Sequence, residues 1–180
     1  MQYRPATSAD AEAVARLHAD SWRRAYRGIY SDEFLDGDLV GERLGVWRKR
    51  LEGPKPNQFV CLAETNGELA GFVCGFADDD QTWGSLVDNL HVQIDFRRTG
   101  IARELMRLAA EWFAANANAS GVYLWVLEDN TGARRFYERI GATNAEVVSR
   151  KLESGNHGNV CRYVWPSATE LAAVAGDYSR

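Results

Sequence analysis

The sequence predicts an α/β (α+β) domain built on one mixed, largely antiparallel sheet of six to seven strands flanked by helices. Three observations predict it. Apolar residues first recur at three- and four-residue steps, then gather into short β-branched and aromatic runs from residue 58 onward. Two of those runs meet at Asn66-Gly67, residues that readily take the positive φ of a type I′ turn and so mark an antiparallel hairpin. Further on, a helical pattern lies between two apolar runs, as a strand–helix–strand crossover requires.

The elements follow in order. Residues 7–26 are expected to form the first helix, with Thr7 and Asp10 at capping-box spacing. Val14, Leu17, His18 and Ser21 make its inward stripe, which Trp22 and Tyr26 extend, and Gly28 ends it. Phe34, Leu35, Leu39, Leu44 and Trp47 predict one or two more helical pieces. Strands are expected over 58–64 and 69–77, then a polar loop at Asp78-Asp79-Asp80 and a third strand over 86–92. Ile101, Leu105, Leu108 and Trp112 mark a second amphipathic helix. The run 122–127 is almost wholly apolar, as in a strand buried on both faces. Ala133, Phe136, Tyr137 and Ile140 return to helical spacing, and Gly141 suits the left-handed position past a helix end. Two last strands, near 145–151 and 160–165, flank the turn Ser154-Gly155-Asn156-His157-Gly158. Residues 1–165 read as a single domain and 166–180 as a short C-terminal helix or tail.

Composition narrows the function classes. A chain of 180 residues buries about 70% of its unfolded surface, so its core needs no staples. With 46% apolar and 26% charged residues it reads as globular, which excludes a disordered or fibrous protein. Twenty-one basic against twenty-five acidic residues give a net charge of −4, which argues against nucleic acid as a partner and suits a cationic acceptor. No secretory leader opens the chain, and no window approaches the roughly 20 apolar residues of a membrane span. A cytoplasmic protein with no membrane partner is expected. Cys61, Cys74 and Cys161 are odd in number, far apart and set in apolar runs, so they read as buried free thiols and no metal site is expected.

The segment that carries chemistry runs Leu90-His91-Val92-Gln93-Ile94-Asp95-Phe96-Arg97-Arg98-Thr99-Gly100-Ile101-Ala102-Arg103. A strand ends, a short basic loop follows, and a helix begins. The first turn of a helix presents unpaired N–H groups and the positive end of its dipole, which suits a phosphate. Gly100 and Ala102 keep the approach open, and Arg97 and Arg98 add positive charge. A Walker loop and a three-glycine dinucleotide loop are both absent. Taken alone, the segment is equally a basic helix start with a tight turn.

Two motifs together go further. The pattern Arg97-x-x-Gly100-x-Ala102 resembles the pyrophosphate-binding motif of the Gcn5-related N-acetyltransferase (GNAT) family. About thirty residues on, Asn130-x-x-Ala133-x-x-Phe136-Tyr137 with a closing Gly141 resembles the family's second signature. The opening Arg4-Pro5-Ala6 with Asp10, then Trp22-x-x-x-Tyr26-x-Gly28, is similar to the amino-terminal part of many members. The resemblance spans residues 2 to 165 and implies a GNAT-like sheet.

The resemblance implies acetyl-CoA, or another acyl-CoA, as co-substrate without a metal, and an amine as acceptor, with the acetyl group passing by direct attack. Leu90, His91 and Val92 would pair their main chain with the pantetheine arm. The amides of Arg98, Thr99, Gly100, Ile101, Ala102 and Arg103, beside Arg97, would bind the pyrophosphate. Asn130 and Ala133 would stand at the pantetheine, although Asn130 reads equally as a helix cap. Tyr137 would protonate the departing thiolate, or else be an aromatic of the core stripe. Asp88 is the first candidate for the base and for an acceptor contact, with His91 and Glu128 as other candidates and a buried or rim carboxylate as the structural alternative. Trp22 and Tyr26 would form the acceptor wall, with Trp47, Trp83 and His157 as further candidates, and Asp78-Asp79-Asp80 could attract a cationic acceptor. Arg134, Arg135 and Arg139 are expected to be solvated helix charges. A homodimer is compatible with the family. The alternative to an enzyme is a non-catalytic acyl-CoA-binding sensor or interaction module.

Overall fold

Asn66 and Gly67 both adopt positive φ, 51° and 81°, and close a tight hairpin between β2 (Gln58–Thr65) and β3 (Glu68–Asp80). The computed structural model describes residues 1–177; of the tail expected at 166–180, positions 178–180 lie outside the described residues. β3 continues antiparallel into β4 (Gly84–Val92), and a four-residue β1 (Gln2–Pro5) closes the other side of β2. β1 is a strand that the sequence reading did not resolve. It is short, sits at an edge and ends at Pro5, a residue that strands tolerate at such places.

The remaining strands are β5 (Val122–Leu127), β6 (Thr143–Lys151) and β7 (His157–Trp165), which bring the sheet to seven in the order β1-β2-β3-β4-β5-β7-β6. All pairs are antiparallel except β4 with β5. The helices are α1 (Ala11–Ala25), α2 (Asp32–Asp36), α3 (Leu39–Glu52), α4 (Ile101–Asn116), α5 (Thr131–Arg139) and α6 (Ala168–Gly176). The turn at Ser8–Asp10 is 3-10 rather than α, so the first helix starts at Ala11, four residues later than the capping signal suggested.

Strand alternation sorts the core into two layers. Phe72, Cys74 and Phe76 of β3 pack with Val14, Leu17 and Trp47 of α1 and α3. Val73 and Ala77 point the other way, toward Ile101, Leu105, Met106 and Phe113 of α4. Each such large side chain, once buried, contributes about 2 kcal/mol. The three cysteines are buried and free. The C-terminal helix docks on α4: Ala168, Leu171 and Ala175 are buried, and the Arg103 guanidinium donates to the carbonyls of Val174 and Ala175 at 2.5 and 3.0 Å, capping the end of α6. Among the described residues no helix is long and apolar enough to cross a membrane.

The acidic run at the end of β3 corrects the sequence reading. It is strand to Asp80, not loop, and its carboxylates fasten neighbouring segments. Asp78, at φ 49°, accepts the amides of Asn118 and Ala119; Asp79 accepts the Tyr123 hydroxyl at 2.6 Å; Asp80 accepts the amides of Thr82 and Trp83. The run lies outside the lining of the cleft described below.

One irregularity prepares the site. β4 and β5 pair only at Ser85–Val122 and Leu86–Tyr123. Beyond that, β5 stays with β7 and β4 stays with β3, so the sheet forks. At the joined end the strands approach closely: Gly84 has φ 83°, and a Cβ there would collide with the Gly121 carbonyl oxygen.

Candidate active site

The fork opens a cleft of about 890 Å³ between the free edge of β4, the end of α1, the start of α4 and the first turns of α5. Along β4 the register shifts by one residue: Cys74 faces Asn89 but Gly75 faces Val87, which leaves Asp88 as an extra residue. Such a bulge re-aims a side chain, and here Asp88 reaches the cleft wall. The main-chain groups of β4 that β5 would otherwise take remain available along that wall.

At one end stands the start of α4. Gly100 is its N-cap at φ 91°, with no side chain capping the helix. In contrast, α2, α3, α5 and α6 are capped by Ser31, Asp38, Asn130 and Ser167. The first amides of a helix have no acceptor within it, and those of Ile101 and Ala102 stand at the cleft with no side-chain cap among the described residues, the arrangement that binds an anion. Arg98 is held in the left-handed region at φ 65°, which turns the loop beneath that helix end. Six arginines line the cleft (Arg24, Arg97, Arg98, Arg103, Arg135 and Arg139) against a single carboxylate, Asp88. The wall is strongly cationic although the chain is acidic.

The residues of the sequence reading are largely brought together. Leu90, His91, Val92, Arg97, Arg98, Gly100, Ile101, Ala102, Arg103, Asn130, Ala133, Tyr137, Trp22, Tyr26 and Asp88 all reach the wall. Thr99 does not; its hydroxyl turns back to the Phe96 carbonyl at 2.7 Å. The Arg103 side chain, also on the wall, donates to the carbonyls that end α6. Arg135 and Arg139 are exposed, as expected of solvated helix charges, and they also line the cleft. Arg134 is fastened to the Glu128 carbonyl and the Tyr163 hydroxyl, at 2.9 and 3.2 Å.

Asn130 accepts the Ala133 amide at 3.2 Å and so caps α5 while lying on the wall. Tyr137 is buried beside it, its hydroxyl without a hydrogen-bond partner among the described residues, and burial pushes its phenol well above the ordinary range. Tyr26 is raised likewise, by burial first and then by Tyr30 and Tyr137. Both are neutral hydroxyls at physiological pH.

The basic candidates separate. Burial, then the charge of Arg97, pushes His91 down to about 3, which leaves a neutral ring with little appetite for a proton. Glu128 is off the wall and accepts from Asn159 at 2.9 Å. Asp88 lies on the wall with Arg50 of α3 at 2.6 Å and the side-chain amide of Asn89 beside it.

Three aromatic candidates for the acceptor wall fall elsewhere. Trp47 is fully buried in the α1–α3 layer. Trp83 lies under the Arg162 guanidinium at 4.5 Å, and His157 is exposed at the start of β7; neither lines the cleft. What adjoins the cleft instead is a smaller cavity of about 230 Å³, bordered by His18, Arg43, Val46, Arg50 and Glu153, and sharing Trp22, Asp88 and Asn89 with the cleft. The sequence reading missed this set. Its signal was present in α3, where Arg43, Trp47 and Arg50 fall at four- and three-residue steps and so share one face.

Comparison with known proteins agrees with this geometry. Residues 12–142 match the model of the acetyltransferase (GNAT) family. The N-acetyltransferase YuaI of Bacillus subtilis is 27% identical over 179 residues, covering 95% of this chain and 96% of that one. The N-acetyltransferase MJ1530 of Methanocaldococcus jannaschii is 28% identical, covering 86% of each chain. In fold, the chain is similar to the PaiA N-acetyltransferase of Thermoplasma acidophilum in complex with coenzyme A, with a TM-score of 0.69 at 15% identity, over 91% of this chain and 98% of that one. The family match covers well over half the sequence and contains the cleft's α4 and α5 motifs, so the chain belongs to the GNAT family and is an acyl-CoA-dependent acetyltransferase.

Proposed function

We propose that the protein moves an acetyl group from acetyl-CoA to a primary amine of a small molecule or peptide by direct attack. The forked sheet carries this reading. A strand edge left unpaired beside an uncapped helix start and a row of arginines fits a ligand with amides at one end and a diphosphate at the other. The PaiA relative's complex with coenzyme A supports the same choice.

On this reading the amides from Gly100 to Arg103 receive the pyrophosphate, with Arg97 and Arg98 adding charge. The edge from Asp88 to Val92 pairs with the pantetheine amides. Asn130 uses its oxygen for the helix cap, and its amide hydrogens, which meet no acceptor, face pantetheine. Asp88 accepts a proton from the incoming ammonium, directly or through water, and the amine nitrogen then bonds to the acetyl carbon. The β4 amides steady the developing oxyanion. As the carbon–sulfur bond breaks, the Tyr137 hydroxyl protonates the thiolate, a role open to a phenol that stays neutral, and the second proton shed by the nitrogen returns through water to the phenolate. Holding both reactants in one cleft supplies much of the remaining rate gain.

A non-catalytic acyl-CoA module needs neither a hydroxyl with no partner in the cleft nor a second cavity opening beside it. Three free buried thiols suit a reducing cytoplasm, where we place the protein. Incubation with acetyl-CoA and a panel of primary amines, following free thiol, tests the proposal. Saturable thiol release with at least one amine is expected. Tight CoA binding with no release across the panel would favour the module.

A further inference from the structure

The smaller cavity is bordered by two buried side chains that each keep one N–H with no acceptor among the described residues. His18 is 3% exposed and Arg43 is 7% exposed. The indole N–H of Trp47 can only donate. His18 Nδ1, 3.0 Å away, must therefore accept, and the proton of the neutral ring sits on Nε2. Nothing among the described residues accepts from that Nε2–H. Burial, aided by His91, Arg43 and Arg50, holds His18 far below its ordinary range, so the ring remains neutral and this tautomer is locked. His18 is thus a fixed donor and not a base.

Arg43 is incomplete in the same way. One terminal nitrogen pairs with Glu153 at 2.6 Å, and the guanidinium lies over the Trp22 ring at 4.5 Å. Its Nε–H has no partner among the described residues. A buried donor left unmet is destabilising, and such groups are rare in folded proteins. Both donors are closed to solvent but belong to side chains that border one small cavity, so a group entering it there would meet them as an acceptor. An ammonium can satisfy neither.

We infer that the acceptor amine carries a carboxylate, and that the smaller cavity receives this carboxylate on the Nε–H of Arg43 and the Nε2–H of His18. The inference rests on the acetyltransferase reading above and names its substrate class: an amino acid or short peptide with a free carboxylate near the reacting amine. The layout agrees. Trp22, Asp88 and Asn89 border both cavities, so an amine at Asp88 stands between them while the carboxylate lies on the Arg43 side. The charges of the smaller cavity, Arg43 and Arg50 against Asp88 and Glu153, balance, so it offers a polycation no surplus of negative charge. A zwitterion finds a partner for each end. The charge-assisted bond to a guanidinium favours the carboxylate over its amide.

Two measurements on the intact protein decide it. In the first, thiol release from acetyl-CoA is followed with matched acceptors: leucine, leucinamide and 3-methylbutylamine, then phenylalanine, phenylalaninamide and phenethylamine. In the second, calorimetry compares N-acetyl-leucine and N-acetyl-phenylalanine with their amides on the CoA-saturated protein. The carboxylate member of a series is expected to be preferred about tenfold or more in each. Arg43→Gln should shrink that preference to about twofold while leaving CoA affinity unchanged. Thiol release without a carboxylate preference overturns this inference and leaves the transferase reading standing. Carboxylate-selective binding with no release from any amine supports the cavity assignment and sinks the transferase reading. Equal binding of the acids and amides overturns the inference whatever the turnover.

Discussion

Asp88 and Arg50 form an ion pair 2.6 Å long at the bulge of β4, so the cleft's one carboxylate is anchored from α3, a helix that does not itself touch the main cleft except through this pair. The bulge supplies the position and the arginine fixes the orientation. Asp88→Asn keeps the shape and removes the proton acceptor. Steady-state kinetics should show kcat down about 100-fold with CoA affinity within about twofold. A loss below about threefold would show that attack proceeds without this carboxylate.

Tyr137→Phe leaves the buried ring and deletes only the hydroxyl. Turnover should fall about 10- to 100-fold with CoA binding unchanged. The sign of the pH dependence follows from burial. A phenol raised above its usual value of about 10 stays protonated through the alkaline range, so kcat should show no descending limb from this group between about pH 8 and 10. A limb in that interval that disappears in Tyr137→Phe would contradict the assignment.

Gly84→Ala should destabilise the fold by about 3 kcal/mol. A left-handed backbone costs roughly 1–2 kcal/mol for a residue with a Cβ, and the collision with the Gly121 carbonyl adds roughly 1–3 kcal/mol. Urea denaturation at neutral pH measures it. An unchanged midpoint would mean that the joined end of the fork can spread without cost.

Asp10 ties the first helix to the sheet. Hydrogen bonds from Arg4 hold its carboxyl at about 2, with those from Thr7 adding to them, and the unfolded chain titrates near 3.9. A depressed folded value contributes stability that is full above about pH 5 and is lost as pH falls from about 4 to 2. Asp10→Asn should therefore be less stable than wild type by about 1–2 kcal/mol at pH 7, after allowing for the half-buried Arg4, with the difference closing over that acid window. A gap that does not change with pH would assign the effect to packing.

The parts of this molecule legible in the sequence were those written locally. The Asn66-Gly67 turn, the apolar run of β5 and the loop from Arg97 to Ala102 each carry their signal within a few neighbouring residues. β1 was not legible because four residues ending in proline show no period. Asp78 to Asp80 looked like a loop because nothing in a run of three carboxylates reveals that Asn118, Tyr123 and Trp83 will meet them. Asp88 was chosen from its strand, whereas the bulge that turns it toward the cleft appears only in the pairing with β3. Arg43 and Trp47 share one helix face, yet one borders a cavity and the other is core. That difference depends on His18, which lies 29 residues away from Trp47.

The forked sheet has a further consequence for how such a chain can change. An unpaired strand edge recognises its ligand with the main-chain groups of alternate residues, a repeat of about 6.6 Å, whatever side chains stand between them. Replacing Leu90 or Val92 by another apolar residue alters packing and leaves that ruler untouched. The chamber beside it is the opposite case, since a single substitution at His18 or Arg43 rewrites its donors. On the proposed function, mutational drift falls unequally on the two halves of the site: the acyl donor would be held by what every residue shares, and the acceptor would be chosen by what a few residues differ in.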